Sequence, residues 1–467
     1  MQKEQVVRYD RLYLTAITLV AALGGLLFGY DWVVIGGAKP FYEPYFALNG
    51  SPVLQGWAVS AALAGCVLGT LVSGMLADRY GRKVLLLTAA FLFLVSAAGT
   101  GAAHRFDMFV FWRIVGGVGI GLASNISPVY IAEVTPPALR GRFVTLNQLT
   151  IVIGILLAQL TNWLIAEPVT GEASPAAILH SWNGQRGWRW MFWAEMVPAA
   201  LFFLMMLRVP DSPRWLVRRG RTGRARTILE RIGGEHYARH ALQEIETSLE
   251  QTSGKKEWRL LLRRPVRRIV LVGIVLAVFQ QWCGINVVFM YAEEVFSAAG
   301  YSVSDILFNI VITGSVNLVF TLVAMALVDR VGRRALMLAG AGSLAVLYGV
   351  LGLFYHLGVT GWPMLLLVVM AIAAYAMTLA PVTWVVLSEI FPNKVRGMAM
   401  AVATSALWSA NALLASAFPV INHAIHASGS FWLFATISIA GFLFIRSHLQ
   451  ETKGKSLEDI EKMITKK

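Results

Sequence analysis

Twelve apolar runs, each about 20 residues long, set the strongest limit on the fold of this chain, because a helix of that length crosses a hydrocarbon core about 30 Å thick. Only 14% of the 467 residues are charged and 57% are hydrophobic, which leaves too little polar surface for a soluble body of this size. The sequence therefore predicts an all-α integral membrane protein with twelve transmembrane helices. The runs lie near residues 12–37, 53–77, 84–103, 108–132, 143–166, 190–208, 268–291, 305–328, 335–357, 363–387, 398–421 and 430–447.

The placement of Lys and Arg residues indicates how these helices are oriented. If both termini and alternate loops face the cytoplasm, 35 of the 40 basic residues lie on that side, and 16 of them lie in segment 208–268. Such an asymmetry follows the positive-inside rule. The net charge of +14 is then a signal of topology, and we expect no nucleic-acid partner. We predict a multi-pass protein of the cell (inner) membrane with a retained first helix and both termini in the cytoplasm.

Two charged strings in the first part of the chain recur in the second. GMLADRYGRK at 74–83 resembles LVDRVGRR at 327–334, and YIAEVTPPALRGR at 130–142 resembles LSEIFPNKVRG at 387–397. A duplication of this kind predicts two halves of six helices each. The amphipathic, Arg-rich segment between them predicts short cytoplasmic helices. The predicted units are 1–208 for the N-terminal half, 209–267 for the cytoplasmic linker, 268–448 for the C-terminal half and 449–467 for the cytoplasmic tail.

The charged residues of these strings stand at the predicted cytoplasmic ends of helices. We interpret them as a cytoplasmic gate, in which ion pairs join the two halves when the protein faces outward. The alternative is that they only orient and cap helices, since exposed ion pairs usually contribute little. The gate residues are Asp78, Arg79, Arg82, Glu133, Arg140, Asp329, Arg330, Arg333, Glu389 and Arg396.

Three carboxamides interrupt the seventh apolar run, in the string FQQWCGINVVFMY at 279–291. At about 100° per residue, an unbroken helix spreads Gln280, Gln281 and Asn286 around its circumference. A common target therefore requires the helix to break, and Gly284 lies between them. Broken membrane helices mark the substrate site in secondary transporters. The alternative is that the amides only join neighbouring helices.

Other uncharged polar groups lie inside later and earlier runs. Gln148 and Gln159 are eleven residues apart and share a helix face; we favour Gln148 as a ligand, while Gln159 can serve a helix contact instead. Amides together with indole rings suit a neutral polyol, because amides donate to and accept from hydroxyls and indole packs on C–H faces. The further candidates are Asn317, Trp384, Trp408 and Asn411, with Pro381 expected to bend the tenth helix.

Three ionisable residues lie within apolar runs of the first half. Asp31 is in the first run, Arg113 in the fourth and Glu195 in the sixth. Ionisable groups at membrane depth are costly and point to function. Two acids and one base can exchange partners when a proton arrives, which predicts proton coupling. The alternative is a static buried ion pair.

These motifs resemble the sugar porter branch of the major facilitator superfamily over nearly the whole chain. The resemblance lies in RIVGGVGIGLASNISPVYIAE at 113–133, PDSPRWL at 210–216, FQQWCGINVVFMYA at 279–292 and QETKG at 450–454. It implies that Gln148, Gln280, Gln281, Asn286, Asn317, Trp384 and Asn411 hold the sugar, with Trp408 and Phe28 near it. It also implies a titrating role for Asp31 with Arg113 and Glu195 as its partners, as in bacterial sugar–proton symporters.

Two positions depart from the family pattern beside the sugar. Met290 stands where a tyrosine is common, and Leu407 stands where Gln or Asn is common. The resemblance therefore does not choose among xylose, glucose, galactose and arabinose.

The sequence as a whole predicts import of a monosaccharide, a pentose or a hexose, with a proton by alternating access. No bond of the substrate is made or broken, so we expect no enzymatic activity, no cofactor and no metal ion. The expected partners are the sugar, the proton and membrane lipid, and we expect a monomer. The alternatives are a uniporter without proton coupling, a sugar sensor and a drug antiporter.

Overall fold

The computed structural model describes residues 9–168, 174–252, 261–392, 395–451 and 453, and these residues are helical nearly throughout. The first five long helices are α1 (Arg11–Tyr45), α2 (Pro52–Tyr80), α3 (Arg82–Ala102), α4 (Phe106–Val134) and α5 (Pro137–Ile165). Asp10 begins α1 because its carboxylate accepts the Tyr13 backbone N–H. A short helix, α6 (Pro175–His180), precedes the sixth predicted helix. The sixth helix itself is built from a π-helical turn at Asn183–Gly187, followed by α7 (Trp188–Trp193) and α8 (Met196–Arg208).

The second half begins after two helices that follow the sixth span. These are α9 (Pro213–Arg218) and α10 (Thr222–Thr252), and α10 changes direction at Gly233 and Gly234. The remaining helices are α11 (Arg264–Trp282), α12 (Ile285–Met290), α13 (Ala292–Ala298), α14 (Val303–Val331), α15 (Arg333–His356), α16 (Trp362–Met377), α17 (Leu379–Ile390) and α18 (Arg396–His448).

Within the described ranges, eleven helical segments are long and apolar enough to cross a membrane. One of them is α18, whose 53 residues include His426 with φ 58 and ψ 175. That non-helical residue divides α18 into two crossings, so the prediction of twelve transmembrane helices in two six-helix halves is confirmed. The crossing formed by α11 and α12 ends at Met290, before α13.

The segment with α9 and α10 identifies one face of the molecule, which we call the linker face. Trp215 of α9 donates from Nε1 to the Asp78 carbonyl oxygen at the end of α2, over 3.1 Å. The Asp10 backbone N–H at the start of α1 donates to the Ile232 carbonyl oxygen of α10, over 2.8 Å. The C-terminal end of α1 therefore lies on the opposite face, which we call the distal face.

The two halves meet through helices that approach each other toward the distal face. The second part of α1 contacts α12 and α13, while α5 contacts α14 and α2 contacts α18. Aromatic pairs bridge the halves, with ring centroids 5.9 Å apart for Trp32 and Phe289 and 5.8 Å apart for Trp163 and Phe308. This packing leaves α12, which carries Asn286, beside α1.

Candidate functional site

The seventh membrane helix is broken at Gly284, as the carboxamide pattern predicts. Helix α11 ends at Trp282 and α12 begins at Ile285. Gly284 has φ +93, a left-handed conformation that other residues rarely adopt. A Cβ at this position would also lie 2.5 Å from the Phe434 ring, so both the backbone conformation and the packing require glycine. The break places Gln280 and Gln281 at the end of one helix and Asn286 at the start of the next.

The three carboxamides are buried and joined in one hydrogen-bonded chain. Asn286 donates from Nδ2 to Gln281 Oε1. Gln281 in turn donates from Nε2 to Gln280 Oε1 over 2.6 Å. Gln280 then donates from Nε2 to the Tyr375 hydroxyl of α16 over 2.5 Å. Amides have further donor and acceptor capacity beyond these bonds, so the chain forms a rigid polar surface that can bind hydroxyl groups. The sequence offered no indication of Tyr375, because a single tyrosine in an apolar run carries no signal of its own.

Trp408 and Asn411 present polar atoms for which the described residues offer no partner. Both are buried in α18, and Trp408 Nε1 and both amide atoms of Asn411 have no hydrogen-bond partner among the described residues. Buried polar atoms are rarely left in this state, since an unsatisfied group costs about 1–3 kcal/mol. Phe28 of α1 lies against Trp408, with ring centroids 5.4 Å apart. These groups suit a ligand that has both hydroxyls and C–H faces.

The remaining predicted ligands lie on three other helices. Asn317 is buried in α14, whereas Gln148 of α5 and Trp384 of α17 are half-buried. The tenth helix breaks at Thr378, with φ −127 and ψ −85, three residues before the predicted position at Pro381. The reason is that Pro381 has no N–H to donate to the carbonyl one turn earlier. The missing hydrogen bond therefore interrupts the helix in the turn before the proline.

Gln159 has a more buried environment than Gln148. Both of its amide atoms are buried without a partner among the described residues. The side chain crosses to the other half, where a Cβ on Gly314 of α14 would be 1.8 Å from Gln159 Oε1. The structure therefore adds Gln159 to the candidate ligands. The eleven-residue spacing placed both glutamines on one face but carried no information on which one meets the other half.

The three ionisable residues of the first half form a second, charged site. Arg113 of α4 donates from Nη1 to Asp31 Oδ1 and from Nη2 to the Asp31 carbonyl oxygen, the latter over 3.1 Å. Glu195, between α7 and α8, is 1% exposed and near enough to interact electrostatically with both. Asp31 Oδ2 and Glu195 Oε1 have no hydrogen-bond partner in the described part of the chain. The site has two carboxyl groups and one guanidinium, so one carboxyl group has no cation of its own and can bind a proton.

Comparison with known proteins decides the family. The sequence profile described as Sugar (and other) transporter matches residues 17–464. The chain belongs to this sugar transporter family. It is 39% identical to the D-xylose-proton symporter of Escherichia coli (strain K12), covering 97% of this chain and 96% of that one. It is 38% identical to the arabinose-proton symporter of Bacillus subtilis (strain 168), covering 97% of this chain and 95% of that one.

The fold of this transporter is also similar to a solved structure. The structure titled as the partially occluded inward open conformation of the xylose transporter XylE from E. coli matches with a TM-score of 0.84 and 37% identity. The match covers 95% of this chain and all of that one. The major facilitator fold expected from the sequence is thereby confirmed.

On the linker face of the transporter, the predicted gate residues form ion pairs at corresponding positions of the two halves. Arg82 Nη2 lies 2.9 Å from Glu133 Oε1, and Arg333 Nη2 lies 3.1 Å from Glu389 Oε1. Each of these pairs joins elements of the same half. The predicted ion pairs between the halves, in an outward-facing state, therefore stay a prediction.

The other gate residues have varied surroundings. Asp78 lies 3.6 Å from Arg82 Nη1 and 2.9 Å from Arg218 Nη1. The Arg396 side chain donates from Nε to the Phe391 carbonyl oxygen over 3.2 Å, and the Arg330 carbonyl oxygen accepts from Lys453 Nζ over 2.5 Å. Arg79 and Arg140 are exposed, and the side chain of Asp329 lies outside the described residues.

Proposed function

We propose that this protein imports a monosaccharide, a pentose or a hexose, together with a proton by alternating access. The observation that carries the proposal is the broken seventh helix, whose linked carboxamides are buried in a membrane-spanning core. That core also holds buried polar atoms that have no hydrogen-bond partner among the described residues. Family membership supports the same function, as do two relatives named as proton symporters of xylose and of arabinose.

The sugar is held by uncharged groups drawn from both halves. The amide chain supplies donors and acceptors in a fixed arrangement, and Asn411 and Trp408 gain hydrogen-bond partners when a sugar hydroxyl binds. Phe28 and the indole rings pack on the C–H faces of the sugar ring. The proposed ligands are Gln148, Gln159, Gln280, Gln281, Asn286, Asn317, Trp384, Trp408, Asn411 and Phe28.

The proton is bound at Asp31. Protonation of this carboxyl weakens its ion pair with Arg113, whose guanidinium then turns toward Glu195. Because Asp31 lies in α1, between Phe28 at the sugar and the distal part of the same helix, this change can alter how α1 packs against the other half. Asp31 thus links proton binding to the movement of the two halves.

The linker face is the cytoplasmic face in this proposal. Most basic residues lie on it, which supports this orientation, and the approach of the two halves at the distal side supports an inward-facing state. Chain segments 1–208 and 268–448 move against each other, the linker 209–267 joins them, and the tail 449–467 stays cytoplasmic. The protein acts as a monomer in contact with lipid of the inner membrane.

Uptake of radiolabelled sugar into liposomes that contain the purified protein tests this function. With an inward proton gradient we expect accumulation above the external sugar concentration, and collapse of the gradient should reduce uptake to equilibration. Asp31→Asn should still exchange sugar across the membrane, since the amide can accept a hydrogen bond from Arg113, but its uptake should no longer respond to the gradient. Uptake that stops at equilibration both with and without a gradient, together with an Asp31→Asn variant that behaves like wild type, would instead support a uniporter.

A further inference from the structure

A buried ammonium group on the distal face belongs to neither the carboxamide site nor the Asp31 site. Lys39 of α1 is 1% exposed, and its Nζ lies 2.9 Å from Glu43 Oε1 and 3.5 Å from Glu293 Oε2. It also contacts Glu294 Oε1. Lys39 is one of the few basic residues outside the predicted cytoplasmic segments.

The partners of Lys39 come from both halves of the protein. Glu43 is on the same helix four residues later, whereas Glu293 and Glu294 are in the first turn of α13. The ammonium also lies 5.7 Å from the centroid of the Tyr291 ring, in the residue that joins α12 to α13. In the described part of the chain this cluster therefore spans the two halves at the distal face, where α1 meets α13.

The two helices cannot separate without changing these charges. An ammonium at this depth requires partners, because a buried charge without one costs several kcal/mol. If α13 moves away, Lys39 keeps only Glu43, which is held by Gln55 of α2 through a bond of 3.1 Å to Oε2. Glu293 and Glu294 are 24% and 22% exposed, and they then reach water. The ammonium thus has different partners in the closed and open arrangements, which is the property of a switching element.

We propose that Lys39 is the positioning residue of the external gate, which holds α1 against α13 while the transporter faces inward and releases α13 when it faces outward. The proposal rests on alternating access as set out under the proposed function. It adds an ion-paired external gate to a protein whose predicted gate residues all lie on the linker face.

The charges of the cluster also give the gate a dependence on external pH. One ammonium faces three carboxyl groups, and in the described part of the chain the other titratable groups around it are Tyr42 and Tyr291. Glu294 Oε2 is buried and has no hydrogen-bond partner among the residues that the structure describes. Burial raises the pKa of the Glu294 carboxyl to about 8; Lys39 opposes this shift, and Glu293 and Glu43 add to it.

The sign of the pH effect follows from proton linkage. In an open gate Glu294 is solvated, and an ordinary Glu pKa is about 4.3. Glu294 binds a proton more strongly in the closed gate than in the open gate, so its protonation stabilises the closed gate. This stabilisation is fully present below about pH 4 and is lost as the pH rises through about 8. External alkalinity should therefore favour the open gate.

Spin labels on the distal face measure the gate without any need for transport. Asn49 and Thr360 are exposed on loops of opposite halves, and both native cysteines, Cys66 and Cys283, are buried. Spin labels attached to cysteines introduced at these two positions give the distance between the halves by double electron–electron resonance. Lys39→Met should raise the ratio of long to short distances about tenfold, the middle of the range for coupling between two states. Lys39→Arg should leave the ratio near the wild-type value.

Two further variants make the result specific. Arg105→Met is the matched control, because Arg105 pairs with Asp107 over 2.8 Å within the N-terminal half and on the same face. The double variant Lys39→Glu with Glu294→Lys should restore short distances, which also answers the objection that Lys39→Met is misfolded. The long-distance fraction of wild type should be larger at about pH 9 than at about pH 6, and Glu294→Gln should reduce that difference.

Some outcomes would overturn the proposal. A distance distribution of Lys39→Met equal to that of wild type would do so, as would an equal shift in Arg105→Met. Failure of sugar uptake by the wild-type protein would refute the proposed function but would leave a shift in Lys39→Met intact, so the two failures can be told apart.

Discussion

At the scale of single residues, Gln281 stands at the centre of the candidate sugar site. It donates to Gln280 and accepts from Asn286, so it joins the two sides of the broken helix. Its removal leaves one buried donor and one buried acceptor without their partner. The effect on the sugar is therefore both direct, through a lost ligand, and indirect, through the position of its neighbours.

We predict that Gln281→Ala weakens sugar binding by about 1–3 kcal/mol, the usual result of leaving a buried polar group unpaired. Isothermal titration of the purified protein measures this change. Gln243→Ala is the matched control, because Gln243 is exposed on α10 and should leave binding unchanged. Wild-type affinity in Gln281→Ala would show that the amides only join helices.

The sequence predicted which residue types form the site better than it predicted how deeply each residue is buried. The carboxamides of the seventh run stood out because they interrupt apolar sequence, and the structure joins them in one chain. Gln159 was undervalued and Tyr375 was missed, because what distinguishes them is a contact with another helix. The buried cluster of Lys39 was missed for the same reason, since its partners Glu293 and Glu294 lie about 250 residues away along the chain.

At the scale of helices, the breaks are what give the site its shape. Periodicity and length predicted the helices correctly, because each run must satisfy its backbone within the membrane. The position of a break depends on local chemistry, and glycine gave a clear signal at Gly284 whereas Pro381 marked its break only within three residues. The non-helical turn at His426 has no such signal, since its φ of 58 is uncommon for any residue other than glycine.

We predict that Gly284→Ala destabilises the protein by about 1–3 kcal/mol, the cost of holding a residue other than glycine in a sparsely populated backbone region. The added methyl also meets the Phe434 ring, so sugar affinity should fall as the amides on either side move. Thermal unfolding in detergent and sugar titration measure the two effects.

Gly349→Ala provides the control for the Gly284 prediction. Gly349 lies inside α15, and a Cβ there has open space around it, so alanine should leave stability unchanged or raise it slightly. Equal stability and equal affinity in Gly284→Ala would contradict the role of the break.

At the scale of the whole molecule, the structure combines a polar site with a charged site and two sets of ion pairs. On the linker face, Arg82–Glu133 and Arg333–Glu389 lie within separate halves. On the distal face, Lys39 joins the halves. Contacts between the halves at one face and ion pairs within each half at the other are the arrangement expected of a carrier that is open at its linker face.

The central claim is that sugar and proton cross the membrane together, and proton entry driven by sugar tests it most directly. Liposomes that contain the protein and a trapped pH indicator are given external sugar with no initial pH gradient. We predict that the interior becomes acidic as sugar enters, and that Asp31→Asn admits sugar without this change. Sugar entry by the wild-type protein with no change of internal pH would contradict the claim.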